Sequence, residues 1–198
     1  MTDALTIEKH LSKKDKVLSR LIKQFGSSPI ATAKKRNPFD SLVSSVISQQ
    51  LSSTVSSVIK KRLVKVVGRR PFKPENILNA KDELLRGCGI SSAKIKTIKG
   101  IAKEAVMGRL DLKHFKDLTD EEVIGYLSSF WGVGKWTAEM FLMFTLNRLD
   151  VLPLNDAGLN RAHGILYPNA ESFSDTAEKW KPYRTVGCWY MWKHIDNP

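Results

Sequence analysis

Two short stretches carry residue types that could do chemistry together. Phe130-Trp131-Gly132-Val133-Gly134-Lys135-Trp136-Thr137-Ala138 sets a Gly-X-Gly turn between two apolar-periodic segments. Leu154-Asn155-Asp156-Ala157-Gly158 then places a carboxylate just after Pro153, where a new helix is predicted to begin. Gly132 and Gly134 permit positive φ and close approach of another backbone. The N–H groups opening the following helix would point outward with the positive end of its dipole behind them, which suits a phosphate. Lys135 would add a charge beside that site, and Thr137 a hydroxyl donor. A tight turn and nothing more is the plain alternative for such a motif.

Asp156 reads in two ways. A fixed carboxylate can stabilise positive charge developing on a sugar and can orient or deprotonate an attacking water. It can also simply cap the helix, and Asn155 suits that role as well. If Asn155 caps, Asp156 is released for chemistry; the reverse assignment is equally open at this stage.

The rest of the chain favours a polyanionic partner. Among 198 residues, 32 Lys and Arg face 20 Asp and Glu, a net charge of +12. The basic residues are spread as Lys13-Lys14, Lys34-Lys35-Arg36, Lys60-Lys61-Arg62, Arg69-Arg70 and Lys94, Lys96 and Lys99, more like a folded face than a tail. A solvated basic surface is the bland reading. Two cysteines, Cys88 and Cys188, support no disulfide framework, zinc site or four-cysteine cluster, and the four histidines have no ligand spacing. No run of about 18 apolar residues predicts a membrane span, and no apolar core of a signal peptide opens the chain. An intracellular protein of cytoplasm, nucleoid or nucleus is expected. Lys34-Lys35-Arg36 could serve as a nuclear address.

The elements that must position these groups are helices. Val17, Leu18, Leu21, Ile22 and Phe25 make one apolar stripe, closed by Gly26. Phe39, Leu42, Val43, Val46 and Ile47 make a second after Asn37-Pro38. Val55, Val58, Ile59, Leu63, Val66 and Val67 make a third, closed by Gly68. Ile95, Ile98, Ile101, Ala102, Ala105 and Val106 form a further face. Thr119-Asp120-Glu121-Glu122 has capping-box spacing. Trp136, Met140, Phe141 and Phe144 line the helix after the turn, and Leu159, Ala162 and Leu166 follow Asp156. Strand-like alternation is absent over any useful length. The expectation is a compact all-α protein of about ten helices.

Together these motifs resemble the helix-hairpin-helix DNA glycosylase superfamily over residues 37 to 194. Gly134-Lys135-Trp136-Thr137-Ala138, Gln49-Gln50-Leu51-Ser52 and Trp180-Lys181-Pro182-Tyr183-Arg184 resemble its 3-methyladenine DNA glycosylase II (alkylbase glycosylase) branch. The resemblance implies a two-lobe fold with the active site in the cleft between lobes. One lobe would join residues 1–37 to 148–198, and the central lobe would span 38–147. It implies base flipping in double-stranded DNA containing alkylated bases, by a monomer that uses no membrane. The bond cut would be the N-glycosidic bond of alkylated purines, 3-methyladenine and 7-methylguanine, with 1-methyladenine or hypoxanthine as further substrates.

Residue by residue, Asp156 falls at the catalytic aspartate. The family often has a second acid where this chain has Asn155. Trp136 and Trp192 fall at base-pocket walls, with Met140 and Tyr183 nearby; plain core packing is the other reading, and it is the one expected for Trp131 and Trp180. Gln50 matches the wedge that fills the emptied stack, with Leu51 the second choice and Ser52 beside it; exposed helix residues are the bland reading. Gly132, Gly134, Lys135 and Thr137 match the phosphate-binding hairpin. The carbonyls of Ser128, Phe130 and Val133 match a structural Na+ or K+ site, no other cofactor being required. Members that cut the strand carry a lysine where this chain has Trp136. Lys135 is one residue off and is turned about 100° away on a helix. A monofunctional hydrolase is therefore expected. The rivals are a non-catalytic helix-hairpin-helix DNA-binding protein and a glycosylase for other damaged bases.

Overall fold

A computed structural model describes the chain except residues 1–2, 34–35, 111–114, 171 and 198. Lys34 and Lys35 of the basic run therefore lie outside the described residues. In chain order the α-helices are α1 (Ala4–Lys14), α2 (Lys16–Phe25), α3 (Pro38–Ser48), α4 (Ser53–Val67), α5 (Pro74–Asn79), α6 (Asp82–Gly87) and α7 (Ser92–Val106). There follow α8 (Asp120–Ser128), α9 (Lys135–Phe144), α10 (Ala157–Leu166), α11 (Phe173–Glu178) and α12 (Arg184–Asp196). Among the described residues there is no strand, and no helix is long and apolar enough to cross a membrane.

The chain divides into two compact units, Met1–Lys34 with Asn147–Pro198, and Lys35–Leu146. In the terminal unit, Ile7, Leu11, Leu18 and Leu21 of α1 and α2 are buried, as are Leu159, Ala162, Val186, Tyr190 and Met191 of α10 and α12. Trp180, fully buried, joins this core as expected. Asp15 ties it together. Its Oδ1 caps α2 through the N–H groups of Val17 at 2.8 Å and Leu18 at 3.2 Å, while its Oδ2 accepts from Tyr167 Oη at 2.9 Å and Trp180 Nε1 at 2.8 Å. Burial works against this carboxylate, but the hydrogen bonds from Trp180, Leu18 and Tyr167 and the nearby Lys179 outweigh it and hold its pKa below the ordinary aspartate value.

In the central unit, α3 packs against α7 and α9 through Leu42, Val43, Val46 and Ile47, with Ile98, Ile101, Ala138, Phe141 and Leu142 opposite. Each such side chain contributes about 1.5–3 kcal/mol by leaving water. The capping box opens α8 as its spacing predicts: Glu122 N–H donates to Thr119 Oγ1 at 3.2 Å, and Thr119 N–H to Glu122 Oε2 at 2.7 Å. The stripe expected on α4 is narrower than the sequence suggested. Ile59, Leu63 and Val67 are buried, whereas Val55 and Val58 are exposed. A step of about 100° per residue takes those two off the buried face, which Ser56 occupies instead.

Candidate active site and nucleic-acid interface

The hairpin turn joins α8 to α9. Gly132 adopts φ +77°, and a Cβ built there would stand 2.2 Å from Thr97 Oγ1, so the turn lies directly on α7. Val133 N–H donates to the Phe130 carbonyl at 3.0 Å and closes the turn. Gly134 then caps α9 with extended backbone and no side chain, so no side-chain cap covers the first-turn N–H groups. Lys135 is exposed, its Nζ 3.9 Å from Glu139 Oε1. Trp131, expected in the core, is instead 54% exposed. Lys96 Nζ of α7 stands 4.3 Å from the centre of its ring, a cation–π contact at the edge of the hairpin.

Thr137 does not present its hydroxyl to a phosphate. It is buried at 2%, and its Oγ1 accepts from Gln49 Nε2 at 2.9 Å. What Thr137 can offer an anion is the backbone N–H of the first helical turn. The same Gln49 amide donates to the Gly132 carbonyl at 3.2 Å. Gln49 thus connects the wedge segment to the hairpin, a role the motif spacing does not assign.

The segment read as the wedge is a tight turn. Leu51 N–H donates to the Ser48 carbonyl at 3.1 Å, and Gln50 adopts φ +56°. With Gln49 at φ −50° and ψ 128°, this is type II geometry, in which Gln50 occupies the position that favours glycine or asparagine. Such a conformation costs about 1 kcal/mol or more and persists where the surroundings hold it. Lys94 supplies that hold, its ammonium donating to the carbonyls of Ile47 at 2.9 Å and Gln49 at 2.7 Å. Burial pushes its pKa down from the usual lysine value. Gln50 and Leu51 stay exposed at the tip. Ser52 turns its Oγ to cap α4 through Val55 N–H at 3.3 Å.

In the terminal unit, Asp156 is itself the N-cap of α10, which settles the Asn155 ambiguity. Its Oδ1 accepts from Leu159 N–H at 2.7 Å and from Trp192 Nε1 at 3.0 Å. The carboxylate is 8% exposed, so it is held near the surface without lying open to bulk water. Asn160 fixes the approaching loop by donating to the carbonyls of Leu154 at 2.7 Å and Asp156 at 2.9 Å. Gly158 makes room for the arrangement. A Cβ there would come 3.1 Å from Asp156 Oδ1 and 3.4 Å from Trp192 Cδ1.

The residues read as base-pocket walls fall in different surroundings. Trp136 and Met140 line a cavity of about 290 Å³ within the central unit. Trp192 lies against Asp156, and Tyr183, at the start of α12, meets His10 edge-on with ring centres 5.1 Å apart. Ser128 ends α8, and Phe130 and Val133 belong to the turn that follows.

A helical hairpin whose first-turn N–H groups carry no side-chain cap, and a capped, oriented carboxylate, fit the helix-hairpin-helix class of DNA-handling proteins. The model of the HhH-GPD superfamily base excision DNA repair proteins matches residues 43–182, and the chain belongs to that superfamily. It is 34% identical to DNA-3-methyladenine glycosylase 1 of Schizosaccharomyces pombe, over 98% of this chain and 88% of that protein. The structure of the 3-methyladenine DNA glycosylase of the same yeast, in complex with abasic DNA, superposes with a TM-score of 0.82 at 32% identity, covering 94% of this chain and 95% of that one. The DNA-3-methyladenine glycosidase of Bacillus halodurans gives a TM-score of 0.78 at 38% identity, covering 96% and 89%. These solved structures share the all-helical fold read from the sequence.

Proposed function

We propose that this chain is a monofunctional DNA glycosylase that hydrolyses the N-glycosidic bond of alkylated purines, 3-methyladenine and 7-methylguanine, flipped out of double-stranded DNA. The observation that carries this reading is Asp156: a largely buried carboxylate at a helix N-terminus whose Oδ1 is oriented by the Trp192 indole N–H. Likeness to 3-methyladenine glycosylases along nearly the whole chain supports the substrate class.

In the reaction the C1′–N bond breaks and its electron pair leaves with the base. Alkylated purines are already cationic, so they depart without an added proton. Positive charge builds on the deoxyribose, where the Asp156 carboxylate stabilises it. Asp156 then takes a proton from the water that attacks C1′. The products are the free base and an abasic site. The hairpin grips the backbone through α9 and Lys135, Gln50 fills the emptied stack with Leu51 beside it, and aromatic faces at Trp136 and Trp192 receive the base. The carbonyls of Ser128, Phe130 and Val133 would hold a monovalent cation at the hairpin. They are neutral oxygen dipoles, which suit Na+ or K+ better than a transition metal, and among the described residues no cluster of His, Cys, Asp or Glu is spaced for one. Such a cation would add positive charge near a DNA phosphate.

Trp136 in place of a lysine, with Lys135 turned to solvent, supports the water route. Incubation with methylated duplex DNA should release free methylpurines and leave intact strands that break only on alkali treatment. Borohydride should trap no covalent protein–DNA adduct; a trapped adduct would overturn the water mechanism.

A further inference from the structure

The cavity in the central unit has two unlike walls. Trp136, Met140 and Phe144 form an apolar and aromatic side on α9. The same lining includes serines of α3, with Lys60 of α4 and Arg70. Arg36, which is exposed, is a third cation of the lining, and the other two differ in state. Arg70 is paired, its guanidinium forked onto both oxygens of Asp40, with Nε 3.0 Å from Oδ1, and it also donates to Ser44 Oγ at 2.7 Å. Lys60 is half-buried and gives one hydrogen bond, to Ser48 Oγ at 3.0 Å; among the described residues no carboxylate lies within ion-pairing distance of it. Two of its three N–H groups have no such commitment. Ser41 Oγ, on the same wall, is buried with no hydrogen-bond partner among the described residues.

An ammonium without an ion-pair partner and an unpartnered hydroxyl that line one cavity with a tryptophan call for a flat ligand with a hydrogen-bond acceptor on its edge. Resting on the reading that the flipped base stacks on Trp136, we propose that Lys60 and Ser41 are specificity-determining donors that select purines bearing an oxygen at C6. The comparison is clean because the nucleosides of 7-methylguanine and 3-methyladenine both carry one positive charge, so the ammonium repels them alike. They differ at C6. An ammonium only donates, so it pairs with the O6 of a guanine or hypoxanthine. Against the 6-amino group of an adenine it meets another donor, and the buried donor is left unpaired. Burial, and then the charge of Arg70, push the Lys60 ammonium down from the usual lysine range, against a smaller upward pull from Asp40.

The test is the ratio of 7-methylguanine to 3-methyladenine released from one preparation of methylated DNA, which contains both. With each base normalised to its content in that DNA, wild type should favour 7-methylguanine, and Lys60→Met should lower the ratio by about tenfold or more, the size of one hydrogen bond from a charged donor. Ser41→Ala should move it in the same direction by less. A ratio unchanged in Lys60→Met, or a parallel fall of both bases, overturns the proposal. If wild type releases neither base, the hydrolysis is what fails. Free 7-methylguanine and 3-methyladenine titrated against the Trp136 indole signal by NMR then decide the pocket alone. Tighter binding of 7-methylguanine that Lys60→Met abolishes upholds the assignment; equal binding of the two bases overturns it.

Discussion

Gln49 Nε2 reaches both the Gly132 carbonyl, at 3.2 Å, and Thr137 Oγ1, at 2.9 Å, so a single amide spans the wedge turn and the hairpin. Gln49→Leu keeps the bulk of the side chain and removes both bonds. We expect it to cost about 1 kcal/mol of stability and to weaken duplex binding several-fold, because the two turns proposed to face DNA lose their common reference. Denaturant melts and fluorescence anisotropy with a labelled duplex measure the two effects. Undiminished affinity would show that the turns do not depend on this amide.

Gly132→Ala tests how closely the hairpin lies on α7. The new Cβ would meet Thr97 Oγ1 at 2.2 Å, and alanine would also have to adopt φ +77°. The first cost is steric and the second conformational, together about 2–4 kcal/mol. Thr97→Ala removes the Oγ1 and Cγ2 contacts and leaves the Cβ at 3.2 Å and the backbone cost, so the double variant should be more stable than the sum of the two singles by about 1 kcal/mol or more. Strict additivity in denaturant melts would mean the contact does not exist.

Trp192→Phe separates an orienting role from a stacking one. The ring stays and the N–H to Asp156 Oδ1 goes. Loss of a hydrogen bond to a charged acceptor corresponds to a fall of about tenfold in the single-turnover rate of base release. The rate should fall by more than the duplex affinity does; equal losses in both would place Trp192 in binding alone.

Asp15 makes the terminal unit sensitive to acid. Its folded-state pKa lies below the ordinary 3.8, so its contribution is complete above that value and is lost as pH falls through the lower, folded one. Asp15→Asn removes the ionic part of the hub formed with Tyr167, Trp180 and Lys179, at a cost of about 2–4 kcal/mol near neutrality. Thermal melts from neutral pH into the acid range should show the variant losing less stability than wild type. Parallel acid limbs would contradict this.

Local signals carried much of the architecture. The capping box at Thr119 and Glu122, the helix stops at Gly26 and Gly68 and the Gly-X-Gly hairpin are written within a few residues of chain, where capping and backbone permissiveness act. The carboxylate of the candidate site was legible because Asp156 also opens a helix. What surrounds it was not. Trp192 and Gly158 meet Asp156 only because α10 and α12 pack together, and Gln49 and Lys94 serve carbonyls far away in sequence. Trp131 reads as core because aromatic residues usually are, yet its place beside the turn leaves it half in water under Lys96. Lys60 reads in the sequence only as part of a basic run, and Ser41 carries no signal there, because the cavity they line is made by residues of α3, α4 and α9 distant in the chain.

The most direct test of the central claim is release of methylated bases, followed by chromatography, for wild type and Asp156→Asn side by side. Asparagine also caps helices well, so the variant should fold and bind DNA as wild type does. It lacks the charge that steadies the sugar cation and the base that takes the proton from water. We expect base release to fall by about 100-fold or more while duplex affinity holds. Release by Asp156→Asn at the wild-type rate would contradict the account.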